Sequence, residues 1–270
     1  MHRCKTVDAA RLQPVRRCHD FPCRRKERDV ELRNVFTKSA GLYDIIYASH
    51  DAARISERLH ALIQERKRSV GTALLDVACG TANHIHWLRR HYTVEGLDLD
   101  PNMLDIARGK EPGIRFHQAD MADFDLGRRF DVITCLGSAI GAVKTLPRLR
   151  QTLRTMSRHL QPGGLVIVEP WLTPEVYREG TVHALFVDRP DLKIARMNAS
   201  AVEDGVSVLD FHYLVATPEG VQYFTERQEL GLFSHEDYLQ AFQAAGLQVD
   251  HDPKGLNGRG LYLATIHYPI

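Results

Sequence analysis

Between residues 73 and 169 the chain repeats one pattern, and this pattern restricts the fold more than any other feature. Short apolar runs occur at 73–79, 94–99, 114–118, 131–136 and 165–169. Stretches with helical spacing lie between them at about 83–91, 101–109 and 146–160. Strands that alternate with helices are joined by crossovers, and crossovers make neighbouring strands parallel. The expected class is therefore α/β, with a doubly wound, mostly parallel sheet. A helical pattern over about 33–68, with Leu59, Leu62 and Ile63 on one face, precedes it and is broken by Gly71. Pro162-Gly163-Gly164 is expected to stop the last crossover helix just before the strand Leu165–Glu169.

After Trp171 the texture changes. Residues 181–232 hold period-two runs such as Val206-Ser207-Val208-Leu209-Asp210-Phe211, separated by Glu203-Asp204-Gly205 and Thr217-Pro218-Glu219-Gly220. That predicts inserted antiparallel strands. Ser234, followed by Glu236 and Asp237, starts a helix that Gly246 ends, and a last strand is expected from Leu261 to His267.

The net charge of +1 conceals an asymmetry, since residues 1–30 carry nine Lys/Arg against four Asp/Glu. Residues 1–32 read as a basic, disordered extension, 33–270 as the main domain, and 172–232 as its β-rich insertion. The extension lacks the apolar core of about 7–15 residues that a secretory signal requires. No run approaches the length of a membrane span, and the charge favours neither nucleic acid nor membrane. Cys79 and Cys135 fall in apolar runs, as inert core thiols. Cys4, Cys18, Cys23 and His19 match no zinc spacing, so no metal is expected. The cysteine usage suits a reducing cytoplasm.

In such a sheet, ligands sit beyond the carboxyl ends of the strands. The first run ends at Ala78-Cys79-Gly80-Thr81-Ala82, where small residues let a ligand approach the backbone. The second ends at Asp98, a carboxylate that can accept hydrogen bonds from ribose hydroxyls. The third ends at Asp120-Met121, an acceptor beside a backbone donor that suits an adenine edge. The fourth and fifth end at Leu136-Gly137-Ser138 and Glu169-Pro170-Trp171. Each admits a plainer role: Asp98 as a solvated residue before a turn, Asp100 as a cap for the helix at Pro101, Asp120 as a turn residue. The single glycine of the first loop does not supply the G-x-G-x-x-G cradle of a dinucleotide pyrophosphate.

In order and spacing, Leu75–Thr81, Gly96–Leu104, His117–Met121, Phe130–Ile133 and Leu160–Gly164 resemble the class I S-adenosylmethionine-dependent methyltransferases. The likeness covers about 40–270. Tyr43–Tyr47, Val168–Trp171 and Gly258–Leu261 further resemble amino-sugar N,N-dimethyltransferases of deoxysugar antibiotic biosynthesis, of the desosamine and mycaminose type. This implies a Rossmann-like sheet of seven strands and S-adenosylmethionine as cofactor. It also implies a small-molecule acceptor, above all the amine of a nucleotide-linked amino sugar. Tyr43, Ala78, Gly80, Thr81, Asp98, Leu99, Met103, Asp120, Met121 and Leu136 would bind the cofactor. Tyr47 would sit at the methyl group and orient the amine, with Ser138, Trp171 and Arg259 on the acceptor side. Arg259 reads equally as a phosphate contact or as an exposed loop residue. Two positions depart from the family pattern: Ala82 replaces a loop glycine, which negative φ would make tolerable, and Ala142 replaces a Tyr or His. Other readings stay open: an O- or C-methyltransferase, a non-catalytic cofactor-binding regulator, or a nicotinamide dehydrogenase. A homodimer is one option for the assembly.

Overall fold

The computed structural model describes residues 38–48 and 51–266. The basic extension, with Cys4, Cys18, Cys23 and His19, lies outside the described residues, as does His267.

Five parallel strands carry the core: β1 (Ala73–Val77), β2 (Thr93–Asp98), β3 (Arg115–Gln118), β4 (Phe130–Cys135) and β5 (Leu160–Val168). The crossovers are α3 (Asn83–Leu88), α4 (Pro101–Lys110) and α5 (Leu146–Arg158). Two antiparallel strands, β10 (Leu247–Asp252) and β11 (Leu261–Ile266), complete a seven-stranded sheet of order β10-β11-β5-β4-β1-β2-β3. β1 lies between β2 and β4, so the chain winds away from it in both directions and opens a crevice at its carboxyl end. The strands beside this crevice are apolar on both faces, and Leu74, Leu75, Val132, Ile133, Val166 and Ile167 are fully buried. Such runs show no alternation because helices cover both faces.

The long helical pattern before the sheet is divided. A 3-10 turn (Ala40–Leu42) leads into α1 (Tyr43–Ile46), and α2 (Ala52–Arg66) starts anew at Asp51, whose side chain accepts from Arg54 N–H. Leu59 and Ile63 are fully buried on α2. Pro162-Gly163-Gly164 is not the helix stop. α5 ends at Arg158, and Leu160 already pairs with Phe130 before the strand bulges and resumes at Val132–Leu165. Gly163 (φ +73) forms the bulge, and its carbonyl accepts from Arg68 and Ser69 N–H.

The insertion is a separate four-stranded antiparallel sheet of β6 (Val182–Asp188), β7 (Lys193–Glu203), β8 (Val206–Thr217) and β9 (Gly220–Gly231). The β7–β8 hairpin turns through Asp204 (φ +50) and Gly205 (φ +76), the primed geometry that matches strand twist. Glu226 of β9 accepts from the backbone N–H groups of Lys38 and Ser39 and from Ser39 Oγ, tying the segment before α1 to this sheet. α6 (His235–Ala244) opens with a full capping box of Ser234 and Asp237. Among the described residues no helix is long and apolar enough to cross a membrane.

Gly96 of β2 sits opposite Asp76, and a β-carbon there would lie 2.6 Å from the Phe116 ring and 2.8 Å from Cys79 Sγ. Gly96→Ala is therefore expected to cost about 1–3 kcal/mol of unfolding free energy, read by urea denaturation. An unchanged midpoint would show that β2 and β3 can respace freely.

Candidate active site

A cavity of about 810 Å³ opens where the carboxyl ends of the parallel strands face the inner side of the small sheet. All the predicted site residues line it: Tyr43, Tyr47, Ala78, Gly80, Thr81, Asp98, Leu99, Met103, Asp120, Met121, Leu136, Ser138, Trp171 and Arg259.

The loop after β1 is bent by three left-handed residues, Ala78 (φ +58), Gly80 (φ +54) and Ala82 (φ +66). The negative φ that would make an alanine easily tolerable at position 82 is thus not met. The alanine adopts the glycine conformation and is held there by Ala82 N–H donating to Cys79 O (3.0 Å) and by complete burial of its methyl. A β-carbon at Gly80 would meet nothing within 4 Å, so that face of the loop is open. Gly80 N–H donates to Asp98 Oδ2 (2.8 Å), while Asp98 Oδ1 accepts from Asp100 N–H (2.9 Å). These bonds pre-set the carboxylate and leave lone pairs on both oxygens. Burial raises the Asp98 carboxyl above its usual range against the pull of the Asp100 and Gly80 N–H groups. Asp100 caps α4 through Asn102 N–H, as anticipated, but its Oδ2 is buried at the cavity without a hydrogen-bond partner.

Leu99, Met103 and Leu136 supply apolar walls beside Asp98. Asp120 is more committed than the sequence suggested. Oδ1 accepts from Ala122 N–H (2.9 Å), and Oδ2 pairs with Arg148 of α5 (2.5 Å). Above the loop, Asp44 of α1 accepts from Thr81 Oγ1 (2.5 Å), Asn83 Nδ2 (2.8 Å) and Lys110 Nζ (2.7 Å). Burial alone would raise Asp44, but these donors outweigh it and hold the carboxyl below its usual range. So anchored, α1 presents Tyr43 and Tyr47 with ring centroids 4.7 Å apart. Burial, reinforced by Tyr47 and the nearby carboxylates, raises the Tyr43 phenol and keeps it neutral.

On the far wall, Ser138 Oγ donates to Pro170 O (2.7 Å) and accepts from Arg259 Nη1 (3.0 Å), and the Arg259 guanidinium lies 5.2 Å from the Trp171 ring centroid. Arg259 is an exposed loop residue, as one reading had it, but these contacts tether its guanidinium to the cavity wall. Trp171 Nε1 donates to Ser207 Oγ (2.8 Å), joining this wall to the small sheet.

Sequence reasoning missed several residues. Glu169 is buried, accepting from Gly137 N–H (2.7 Å) and Asn257 Nδ2 (3.1 Å). A carboxylate ending the apolar run Leu165–Val168 was the available signal. Arg196 of β7 donates to the Tyr47 hydroxyl (3.0 Å), and its guanidinium lies 4.7 Å from the Phe211 centroid. Arg196, Asn198 and Ser200 alternate along β7 and all face the cavity. Of the insertion histidines, His183 lines the cavity, whereas His212 bonds the Tyr223 hydroxyl on the outer face. His84 and His86 go to separate partners, Ser56 and Glu111. No metal-binding cluster occurs among the described residues.

The open Gly80 face, the pre-set Asp98 carboxylate and the partnerless Asp100 oxygen fit a nucleoside whose ribose hydroxyls donate. The opposite wall is aromatic and cationic, which fits a polar second ligand.

Residues 74–164 match the family described as methyltransferase domain. A dTDP-3-amino-3,6-dideoxy-alpha-D-glucopyranose N,N-dimethyltransferase of Streptomyces fradiae is 40% identical, over 83% of this chain and 89% of that one. A dTDP-3-amino-3,4,6-trideoxy-alpha-D-glucopyranose N,N-dimethyltransferase of Streptomyces venezuelae is 37% identical, over 84% and 97%. The solved structure of S-adenosylmethionine-bound CalS10, an amino pentose methyltransferase from Micromonospora echinaspora involved in calicheamicin biosynthesis, superposes with a TM-score of 0.77. It is 34% identical and covers 84% of this chain and 97% of its own.

Asp76, beneath the loop, has one hydroxyl partner, Thr134 Oγ1 (2.6 Å). Burial pushes its carboxyl up to about 7, opposed by Thr134 and reinforced by the Asp98 charge. In the unfolded chain it loses its proton near about 3.9. From about pH 4 to 7 the native state therefore holds the extra proton, and its share of stability falls as pH rises, levelling above about 7. The stability of Asp76→Asn relative to the parent protein should accordingly rise over that window and then stay flat. Urea denaturation between about pH 5 and 8 reads this, and a difference independent of pH would contradict it.

Proposed function

Since the chain belongs to the S-adenosylmethionine-dependent methyltransferases, in the group of dTDP-amino-sugar N,N-dimethyltransferases, we propose how its own residues divide the work of methylating an amine. The cofactor is S-adenosylmethionine, and the acceptor is a small molecule, the amine of a nucleotide-linked amino sugar. Asp98, with the Asp100 oxygen beside it, takes the ribose hydroxyls. Leu99, Met103 and Leu136 flank the adenine, and Asp120 and Met121 read its edge. Ala78, Gly80 and Thr81 make the floor for the amino-acid end, with Tyr43 above it.

The bound cofactor supplies a methyl group already activated by a cationic sulfur. The protein therefore has to align, shield and select. Alignment of a nucleophile with its target contributes roughly 7–11 kcal/mol in favourable cases. Tyr47, fixed by Arg196, orients the incoming amine, which must arrive without its proton. The aromatic faces of Tyr43 and Tyr47 favour positive charge in front of them. Ser138, Trp171 and Arg259 hold the rest of the acceptor, and residues 172–232 form its side of the cavity.

The observation that supports this reading is the Gly80–Asp98 bond (2.8 Å), which sets a carboxylate beside the open face of the loop at Gly80. Asp98→Ala is expected to weaken S-adenosylhomocysteine binding at least about tenfold, because bonds to a charged acceptor worth about 1.5–3 kcal/mol disappear. Calorimetry reads the change, and unaltered affinity would move the nucleoside elsewhere. For the reaction, nucleotide-linked amino sugars incubated with enzyme and methyl donor should gain about 14 or about 28 daltons on nitrogen. Methyl groups found only on oxygen or carbon would overturn the acceptor assignment.

A further inference from the structure

The loop between β10 and β11 brings Arg259 to the cavity on a narrow base. Gly255 and Gly260 bridge there, and their backbones touch. A β-carbon at Gly255 would run into the Gly260 carbonyl, and one at Gly260 would lie 2.6 Å from His251 Nε2. Gly258 N–H donates to Lys254 O (3.0 Å), and Leu256 is buried in one cluster with Leu261 and Leu263. The base of the loop is thus fixed. At its tip two polar side chains, Asn257 and Arg259, line the cavity. They end on neighbouring supports. Asn257 Nδ2 donates to Glu169 Oε1 (3.1 Å), and Glu169 Oε2 accepts from Gly137 N–H (2.7 Å). Arg259 Nη1 donates to the hydroxyl of Ser138, the very next residue (3.0 Å). A carboxylate and a guanidinium therefore stand on adjacent residues without pairing. Glu169 is 1% exposed and is held by two neutral donors, and among the described residues neither it nor Arg259 makes an ion pair. A buried carboxylate draws a neighbouring cation strongly, because little water screens it. The oxygen that a guanidinium would take is covered by the Asn257 amide.

We infer that Asn257 is a positioning residue that keeps Arg259 free for the phosphates of the acceptor. The inference rests on the reading of that acceptor as nucleotide-linked. By occupying Glu169 Oε1, Asn257 denies the guanidinium a buried acid. The N–H groups that Arg259 does not spend on Ser138 then stay available in the cavity, and their planar fork suits a phosphate. An amide fits this task for a simple reason. It donates to the carboxylate without bringing a charge. A lysine at 257 would set a second cation beside Arg259, and an alanine would leave Oε1 open to it. The buried Glu169 in turn needs Asn257, since a carboxylate out of water with too few donors is costly. Each of the two groups thus satisfies the other and leaves Arg259 on Ser138 and the Trp171 ring.

The test is calorimetry of thymidine diphosphate on the full chain with S-adenosylhomocysteine present. Asn257→Ala should weaken thymidine diphosphate at least about tenfold, as a charge-assisted contact is lost. S-adenosylhomocysteine should bind this variant as it binds the parent. With a nucleotide-linked amino sugar as substrate, KM should rise by a similar factor while kcat stays within about twofold. The double variant Glu169→Gln/Asn257→Ala should recover to within about threefold of the parent, because a neutral side chain no longer draws Arg259 away. A role confined to bracing the loop would leave the double variant as weak as the single one, or weaker. If circular dichroism shows the double variant misfolded, a crystal structure of Asn257→Ala decides, with Arg259 within about 4 Å of a Glu169 oxygen as the expected result. Arg259 still on Ser138 in that structure would overturn the inference. So would unchanged affinity in Asn257→Ala, or a folded double variant without recovery. A parent protein that binds no thymidine diphosphate would remove the nucleotide-linked acceptor itself, and this inference with it.

Discussion

The bond from Gly80 N–H to the Asp98 carboxylate is the constraint on which the site depends. It joins the ends of two adjacent parallel strands at the point where the chain changes winding direction, and it fixes a loop that contains three left-handed residues. The unfavourable backbone of Ala78 and Ala82 would relax into other conformations if the loop were free. The carboxylate gains as much as the loop does, since two backbone donors orient it while lone pairs remain. Asp76 and Glu169 stand nearby under the same rule: each is buried at a strand end, and each is held by donors from neighbouring elements. The crevice therefore combines an apolar sheet with a ring of acids that the backbone and a few hydroxyls and amides keep in place.

Much of this was legible in the sequence, and the reasons are specific. Fully buried parallel strands read as continuous apolar runs, so β1, β2, β4 and the 165–168 half of β5 stood out, whereas β3 is a partly exposed edge strand with no such run. The hairpin turn at Asp204-Gly205 and the Ser234 cap depend on local chemistry and were equally visible. β10 was not, because Gln248-Val249-Asp250-His251-Asp252 lies at the sheet edge, is largely solvated and has no apolar rhythm. Pro162-Gly163-Gly164 misled for a different reason. The same residue types end helices and make bulges, and only the pairing of Leu160 with Phe130 decides between them.

The parts of the site that the sequence hid come from long-range contacts. Nothing near Tyr47 indicates that Arg196, 149 positions away, will hold its hydroxyl. Nothing near Asp120 announces Arg148. The polar stripe of Arg196, Asn198 and Ser200 was present as an alternation, but a strand with a polar face is ordinarily assumed to turn it to water. Here the stripe turns inward, because the sheet covers a ligand cavity, and it shares that face with the buried Ile194, Leu209, Phe211, Tyr213 and Val215.

Glu226 gives the cavity a property that no single lining residue explains. By gripping Lys38 and Ser39 it fastens the stretch leading into α1 to β9, while Arg196 fastens Tyr47 to β7. Both tyrosines and the second sheet therefore form one roof, riveted at two points and resting on the parallel-strand floor. A roof built this way has shared fastenings: a shift of α1 disturbs the Glu226 and Arg196 contacts together, besides the bonds that Asp44 accepts from Thr81, Asn83 and Lys110.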